Sequence, residues 1–367
     1  MNELIFGVMT GTSMDAIDVC LLEIKNGKPI ELKDFESKPI SNSLKEVFSS
    51  LLKKGPNELE KSQIASIQFS LKVSKIVNSI INRHNLNTEK ILGIGVHGQT
   101  VRHNPEKSFT LQLCNPSIIS EKTKLTVISD FRSKDIAAGG EGAPLAPLFH
   151  HQIVKEYAPC AVVNIGGIAN ISVILKCNRK GTKISKGFDT GPGNCYSDLW
   201  CKKNFNRPYD KNGDLAREGK LNDELLNKML LDPYFAKKAP KSTGLHYFDQ
   251  RWLNRKLQHI RNRTHKINIQ ATLIELTART ITNNIPKFCE SVYVCGGGAK
   301  NSYLIERLNH NSHSKIYSSD IIGWDPQTVE SACFAWLAFK TLNNEKHDLK
   351  SITGSKNPVK LGNITFY

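Results

Sequence analysis

The sequence predicts an α/β protein of two lobes. Apolar runs rich in strand formers alternate with helical stretches along the chain, which is the pattern of α/β folds. The 367 residues correspond to about two domains at roughly 150 residues each. Each half also opens alike. An apolar strand, a Gly-containing turn and a returning strand occupy residues 5–24, and the same order recurs over 161–175. No fixed-period repeat accompanies this, so the likeness reads as a structural duplication.

The elements follow in order. Residues 5–9 and 19–24 read as strands around a small, polar loop. Asn26-Gly27-Lys28-Pro29 makes a turn into a third strand from Ile30. Residues 43–52 read as a helix, with Ser43 and Glu46 spaced as a capping box and Gly55-Pro56 as the stop. Ile64, Ile67, Leu71, Ile76, Val77, Ile80 and Ile81 recur at helical spacing and predict a long amphipathic helix ending near Arg83. Strands are expected over 91–96 and 125–129. The Gly-, Pro- and Ala-rich stretch 139–147 marks the lobe boundary, with 1–135 and 345–367 in the first lobe and 136–344 in the second. His150-His151 reads as part of a helix surface. Helices are expected over 195–201 and 269–285, and a buried strand over 291–295. Residues 329–342 form a helix that is apolar on almost every face and therefore buried.

Composition excludes several classes. With 39% hydrophobic, 23% charged and 8% aromatic residues, the chain is not disordered, collagenous or coiled-coil. No apolar stretch approaches about 18 residues, so no transmembrane helix is expected. The N-terminal residues carry no basic region and no long apolar core, and read as a first strand, not a signal peptide. The nine cysteines include no CxxC pair, so neither a disulfide framework nor a zinc finger is predicted, and a reducing cytoplasm fits. Cys20, Cys295 and Cys333 lie in apolar runs as small buried hydrophobes. The formal charge of +16 fits either an anionic partner or a Lys-rich background. The lysines are spread out and no nucleic-acid module signature occurs, which favours the background and predicts no nucleic-acid partner.

Four motifs carry chemistry. Gly11-Thr12-Ser13-Met14-Asp15-Ala16-Ile17-Asp18 is a turn of small hydroxyl residues between two strands. It reads either as a nest of N–H groups for phosphate, with Asp15 and Asp18 reaching magnesium through water, or as an ordinary hairpin loop. Gly187-Phe188-Asp189-Thr190-Gly191-Pro192-Gly193-Asn194 is a second Gly-rich turn in which Asp189 is the only charge. Asp189 is either a general base or a turn Asp bonding its own backbone. A buried strand delivers Gly296-Gly297-Gly298 to a helix start, which suits a flat ligand or an anion. It is not GxGxxG, and the acidic residue of the dinucleotide fingerprint is not evident. His97, Gln99, Asp130 and Arg132 stand at strand ends, where open α/β sheets bind ligands, and offer hydrogen bonds to sugar hydroxyls or a carboxylate. The spacing of His97 and His103 is no established zinc pattern. No Walker A, kinase signature, GxSxG or HExxH occurs.

With these motifs in hand, the chain resembles the bacterial anhydro-N-acetylmuramic acid kinases. The matching segments run in order: GVMTGTSMDAID (7–18), HGQTVRH (97–103), SDFRSKDIAAGGEGAP (129–144), VNIGGIANI (163–171), GFDTGPGN (187–194), KSTG (241–244), QATLIELTART (270–280), VCGGGAKN (294–301), and Glu330 with FAWL (334–337). The resemblance implies a two-lobed actin-like or hexokinase-like ATPase fold with a central nucleotide cleft. It implies ATP and Mg²⁺, with ATP meeting Gly11, Thr12, Ser13, Met14, Asp15, Ala16, Ile17 and Asp18, then Asn164, Gly166 and Gly167, and Gly296, Gly297, Gly298 and Asn301. The amino sugar would meet His97, Gln99, Asp130 and Arg132. Asp189 would activate water and Glu330 would lie near the sugar, while the metal ligands stay unassigned. The implied reaction opens 1,6-anhydro-N-acetylmuramic acid with water and phosphorylates it to N-acetylmuramic acid 6-phosphate, in cytoplasmic peptidoglycan recycling by a homodimer. Another sugar or carboxylate kinase of the same superfamily, or a non-catalytic ATP-dependent clamp, is the alternative. Two positions depart from the family pattern. Ala16 replaces the usual Gly, which would strain the turn at positive φ, and Glu141 replaces Gln, adding negative charge near an anionic substrate.

Overall fold

A computed structural model describes residues 2–177, 181–245, 247–260 and 263–367. Its strands are β1 (Asn2–Met9), β2 (Ala16–Lys25), β3 (Lys28–Pro39), β4 (Ile91–Val96), β5 (Gln99–Asn104), β6 (Phe109–Leu113), β7 (Val127–Ser129), β8 (Cys160–Ile165), β9 (Ile168–Cys177), β10 (Gly181–Pro192), β11 (Ser291–Cys295), β12 (Lys315–Ser318) and β13 (Asn363–Thr365). One sheet has the order β13-β7-β4-β1-β2-β3 and another β10-β9-β8-β11-β12, while β5 and β6 pair separately.

The two large sheets are built alike. In the first, β1, β2 and β3 form an antiparallel meander, and β4 then β7 continue parallel on the other side of β1. In the second, β8, β9 and β10 form the meander, and β11 then β12 continue parallel beyond β8. Counted within each sheet, the first reads 3-2-1-4-5-6 and the second 3-2-1-4-5, so the paired openings seen in the sequence belong to a five-strand duplication, to which the first sheet adds β13 antiparallel at its edge.

The chain divides into residues 1–152 with 328–367, and residues 153–327. Residues 136–152 and the helix Val329–Leu342 therefore lie with the first sheet, not with the second lobe as expected. The physical reason is close packing. The helix lies against β1, β2 and β4. A Cβ on Gly7 would stand 2.0 Å from the Ser331 carbonyl oxygen, and one on Gly95 2.1 Å from that of Phe334. Only glycine at these two strand positions lets the helix backbone come so near.

In the first unit Phe6, Val8, Ile17, Val19 and Leu21 bury one sheet face under Phe48, Phe69, Val73 and Val77. The helix Glu58–Arg83 forms as expected, but Ile64, Ile67 and Leu71 point outward, at 46%, 40% and 38% exposure. Its buried stripe is Ala65, Phe69, Val73, Ile76, Val77 and Ile80 with Ser62, Ser66, Ser70 and Ser74, where the small serines permit close contact. Ser41, not Ser43, caps the helix Asn42–Leu51 by accepting from the Leu44 N–H at 3.4 Å. His150 is fully buried within the helix Ala146–Val154, contrary to the surface reading. In the second unit Val163, Ile165, Ala169, Ile171, Phe188 and Val294 pack with Ile274, Ala278 and Leu304.

The parallel strands β1, β4 and β7 end at Met9, Val96 and Ser129, and β8 and β11 end at Ile165 and Cys295. The residues singled out for function follow directly at these carboxyl ends, where such sheets present ligand sites.

Candidate active site

In the first unit the turn after β1 closes with the Met14 N–H donating to the Gly11 carbonyl at 3.1 Å. Met14 takes a left-handed φ of 57°, held by its buried side chain. Such a backbone persists where packing over-determines it. Ala16 is not at positive φ and opens β2 opposite Pro39, so the Ala-for-Gly departure carries no backbone strain. Thr12 and Ser13 are exposed, while Ile17 is buried in the core. Asp15 pairs with Lys45, and Asp18 accepts from the Ser37 hydroxyl at 2.5 Å. Gln99 is fully buried. Its Oε1 accepts from the Thr10 hydroxyl at 3.0 Å, and its Nε2 donates to the Gly11 carbonyl at 3.4 Å and to that of Thr100 at 3.2 Å. Gln99 thus fastens the turn to the start of β5, and its carboxamide is engaged within the protein.

His97 is 4% exposed, and its Nε2 accepts from Arg132 Nε at 2.9 Å. Phe334 lies against the imidazole at 4.6 Å between centroids. Burial, and then the Arg132 charge, push His97 well below the usual histidine range, so the ring is neutral. Arg132 also donates to the Gly142 carbonyl at 2.7 Å. Asp130, at φ 55°, accepts from the Ser133 hydroxyl at 2.6 Å and from Asn363 Nδ2 at 3.1 Å. Glu330 opens the helix Val329–Leu342 one turn before Phe334, so both share the helix face that meets His97. The loop 139–142 is held by fully buried Asp135, which accepts from the Gly142 N–H at 2.7 Å and the Thr353 hydroxyl at 2.7 Å. Burial raises the Asp135 carboxyl above its ordinary range. The Glu141 N–H, in that loop, donates to the Thr353 carbonyl at 2.9 Å.

In the second unit residues 187–192 are not a turn. They complete β10, paired with β9 through shifts of register at 184–186 and 189–191. Asp189 therefore does not bond its own turn. It is 6% exposed, and its Oδ2 accepts from the Thr243 N–H at 2.9 Å, a residue far along the chain. Its own N–H donates to the Lys241 carbonyl at 3.2 Å, and its carbonyl accepts from the Tyr234 hydroxyl at 2.7 Å. The Lys241 ammonium lies 4.8 Å from the Tyr234 ring centroid and 5.6 Å from that of Phe188. Burial pushes it below the ordinary lysine range, while the Asp189 charge acts the other way.

The triglycine follows β11. Gly296 has φ 80° and ψ 174°, and a Cβ there would stand 2.3 Å from Asn164 Oδ1. A Cβ on Gly298 would stand 2.4 Å from Ile165 Cγ2. Gly297 is exposed, and its nearest neighbour would be Asn194 Nδ2 at 3.9 Å. The triglycine leads into a short 3₁₀ turn, and only then into the helix Ser302–Asn311. Asn301 caps that helix by accepting from the Leu304 N–H at 3.0 Å. The Gly166-Gly167 turn is held from the other side, with Gly166 O accepting from Asn194 N–H at 2.8 Å and Gly167 O from Gly193 N–H at 2.9 Å.

Space separates two kinds of glycine here. Gly296 and Gly298 are demanded by packing. Gly11, Gly166 and Gly297 are not, since an added Cβ would come no nearer than 3.8, 3.6 and 3.9 Å to its neighbours. Bare backbone that the fold does not require is available to a ligand.

A family model described as anhydro-N-acetylmuramic acid kinase matches residues 3–367. The chain belongs to that family. The anhydro-N-acetylmuramic acid kinase of Acinetobacter baylyi is 38% identical over 380 residues, covering 100% of both chains. That of Pseudomonas fluorescens is 39% identical over 366 residues, covering 98% of this chain and 99% of the relative. Among solved structures, the activator of the 2-hydroxyisocaproyl-CoA dehydratase from Clostridium difficile with bound ADPNP aligns over 94% of this chain and 99% of its own at 12% identity and a TM-score of 0.47.

For a member of this kinase family, the structure gathers His97, Arg132 and the Glu330 helix in the first unit, and Asn164, Asp189 and the triglycine at one sheet end in the second. Residues the sequence reading did not single out surround Asp189: Lys241, Thr243, Tyr234 and, across the strand, Asn170. The KSTG segment (241–244) was the one available signal for the first two. Among the described residues no three His, Cys, Asp or Glu side chains converge as a metal cage, and no helix is long and apolar enough to cross a membrane.

Proposed function

We propose that this protein uses ATP and water to convert 1,6-anhydro-N-acetylmuramic acid to N-acetylmuramic acid 6-phosphate, in the cytoplasm, as a step of peptidoglycan recycling. The observation that carries this reading is the nearly buried Asp189 carboxylate at the sheet end of a chain that matches the family over 3–367. Water attacks the anomeric carbon and Asp189 takes one of its protons. The bond from that carbon to the bridging O6 breaks, and O6 takes the γ-phosphoryl group, releasing ADP. A carboxylate in a partly dry site is suited to this proton transfer. The Thr243 N–H fixes one carboxylate oxygen, and the Lys241 ammonium supplies a nearby compensating charge.

In the first unit the 11–18 turn would take phosphate oxygens, and neutral His97, Arg132, Asp130 and Glu330 would take the sugar. Gln99 serves by fixing the turn. In the second unit, Gly166, Gly167 and Gly297 would lie along the nucleotide. Asp18, a half-buried carboxylate at the turn, would reach Mg²⁺ through water, with the ion otherwise carried by phosphate oxygens and water. When bound, the ion would neutralise charge on the transferring phosphoryl group. The family resemblance also implies a homodimer, which light scattering at a monomer mass would exclude.

The test incubates the protein with ATP, Mg²⁺ and the anhydro sugar in oxygen-labelled water. Label at the anomeric hydroxyl, with none in the transferred phosphate, is expected. Asp189→Asn should lower turnover at least ~100-fold while ATP binding persists. Near-normal turnover in that variant would remove Asp189 as the base, and an unlabelled anomeric hydroxyl in early samples would remove the coupled reaction. A panel of other sugars and carboxylates, each turned over faster than the anhydro sugar, would favour a different kinase.

A further inference from the structure

Directly across the strands from Asp189 in β10 stands Asn170 in β9. Asn170 in turn faces Asn164 in β8, and Asn164 faces Cys295 in β11. Directly opposed residues share a sheet face. The residues beside them, Val163, Ile165, Ala169, Ile171, Phe188 and Val294, point into the core on the other face. A polar row thus crosses three strands and ends against Cys295, where β11 delivers the triglycine.

Two oxygens in this row and its margin lack partners. Asn170 is 9% exposed, and its Oδ1 is buried with no hydrogen bond among the described residues. The hydroxyl of Thr243, whose N–H holds Asp189, is in the same condition. Buried polar oxygens nearly always have a partner. Two that flank one carboxylate point to a small ligand rich in O–H groups.

A water about to attack carbon has four directions to satisfy. One lone pair faces the carbon and one O–H faces the base. The second O–H needs an acceptor, and the second lone pair needs a donor. We propose that Asn170 Oδ1 and the Thr243 hydroxyl fill these last two places, so that Asn170, Thr243 and Asp189 together seat the water that opens the anhydro bridge. The inference rests on the reading of Asp189 as base. Asn170 is no base, so the second proton stays on the new anomeric hydroxyl while Asp189 takes the first.

Such a seat has a readout that structural damage does not imitate. Methanol has one O–H, which would go to Asp189, and its methyl group would press on Asn170. The intact seat therefore selects water. In aqueous methanol, Asn170→Ala should raise the ratio of methyl glycoside 6-phosphate to free sugar 6-phosphate at least 5-fold, a rough figure for losing one positioned contact. Its kcat should fall about 10- to 100-fold with ATP affinity unchanged. Thr243→Val, nearly isosteric, should lower kcat about 10-fold and carries the test if Asn170→Ala loses its melting transition. Thr243→Ser should restore most of the rate. Asp189→Asn is measured in parallel. Full turnover there defeats the base reading itself. An inactive Asp189→Asn beside variants with normal kcat and an unchanged product ratio defeats this inference alone.

Discussion

The two units share a sheet topology but are held together differently. In the first, the turn after β1 is fastened by side chains: Gln99 donates to the Gly11 carbonyl, Lys45 pairs with Asp15, and Met14 anchors the turn in the core. In the second, the triglycine turn after β11, which stands where His97-Gly98 follows β4 in the first, is fastened by the absence of side chains, because Gly296 and Gly298 pack directly on Asn164 and Ile165. The first unit also contains three buried histidines, His97, His150 and His347, whose burial holds them well below the usual range, to about 3 for His150 and about 4 for His347. Two buried acids of the second unit, Glu275 and Asp232, behave oppositely. Burial raises Glu275, but hydrogen bonds from Arg307, Arg279 and Asn311 outweigh it, and Asp232 is likewise held low by Trp252, Tyr234 and Tyr247. One duplicated framework thus tolerates two quite different polar interiors.

The largest expected consequence is in acid. Below about pH 6.5 the unfolded histidines take up protons, while the folded ones do not until their lower values are reached. The unfolded first unit then binds more protons, so its stability falls with pH, by roughly 1.4 kcal/mol per pH unit for each histidine. His150 and His347 alone amount to ~4 kcal/mol at pH 5, a large part of the whole stability of a domain, and His97 adds in the same direction. Asp135, raised by burial, gains its proton first in the folded state and offsets part of this loss in acid. Glu275 and Asp232 lose their contribution only below about pH 4, through their lower folded values. Hydrogen exchange corrected for intrinsic pH effects, at pH 7 and pH 5, should show residues 1–152 and 328–367 losing protection first. Earlier loss over 153–327 would reverse the comparison.

Next in size is the triglycine. Gly296 occupies a backbone region that is essentially glycine-only. Gly296→Ala adds this strain to an overpacked contact with Asn164 and Ile165, and should destabilise by about 3 kcal/mol in denaturant unfolding. Gly297→Ala, one residue on and open to solvent, should change stability by less than about 0.5 kcal/mol. Equal effects at both positions would mean that the turn is not held by packing.

These differences bear on what was legible in advance. Strand ends were, because β1, β4, β8 and β11 are short apolar runs closed by Gly or small polar residues, and the ligand-facing end of such a sheet follows from its direction. The helix Val329–Leu342 was recognisable as buried, but not its place against β1. That depends on Gly7 and Gly95, over 200 residues away, permitting close approach. Residues 187–192 looked like a turn because glycine and proline punctuate them. In fact their backbone groups find partners in β9, and Gly191 falls at an irregularity of the ladder. His150 and His151 are adjacent and identical, so only tertiary packing shows that His150 is buried. Asn170 and Thr243 lie in the VNIGGIANI and KSTG segments, but their place beside Asp189 depends on strand register and on a segment far along the chain, which no local pattern carries.

The smallest effect is the most informative about the first turn. Gly11 has neither positive φ nor a close neighbour, and a Cβ there would lie 3.8 Å from Ser13 Oγ. Gly11→Ala should therefore leave stability unchanged, or raise it by about 0.5 kcal/mol through the unfolded chain. If phosphate oxygens lie on this bare backbone, as proposed, the same methyl group obstructs them, and ATP affinity should fall several-fold while melting is unaffected. Calorimetric titration with an ATP analogue reads the first quantity and thermal unfolding the second. A variant that loses stability would show that the fold, not the ligand, requires the glycine. One that keeps both stability and affinity would remove the turn from the nucleotide site and leave Gln99 fastening a loop with no ligand of its own.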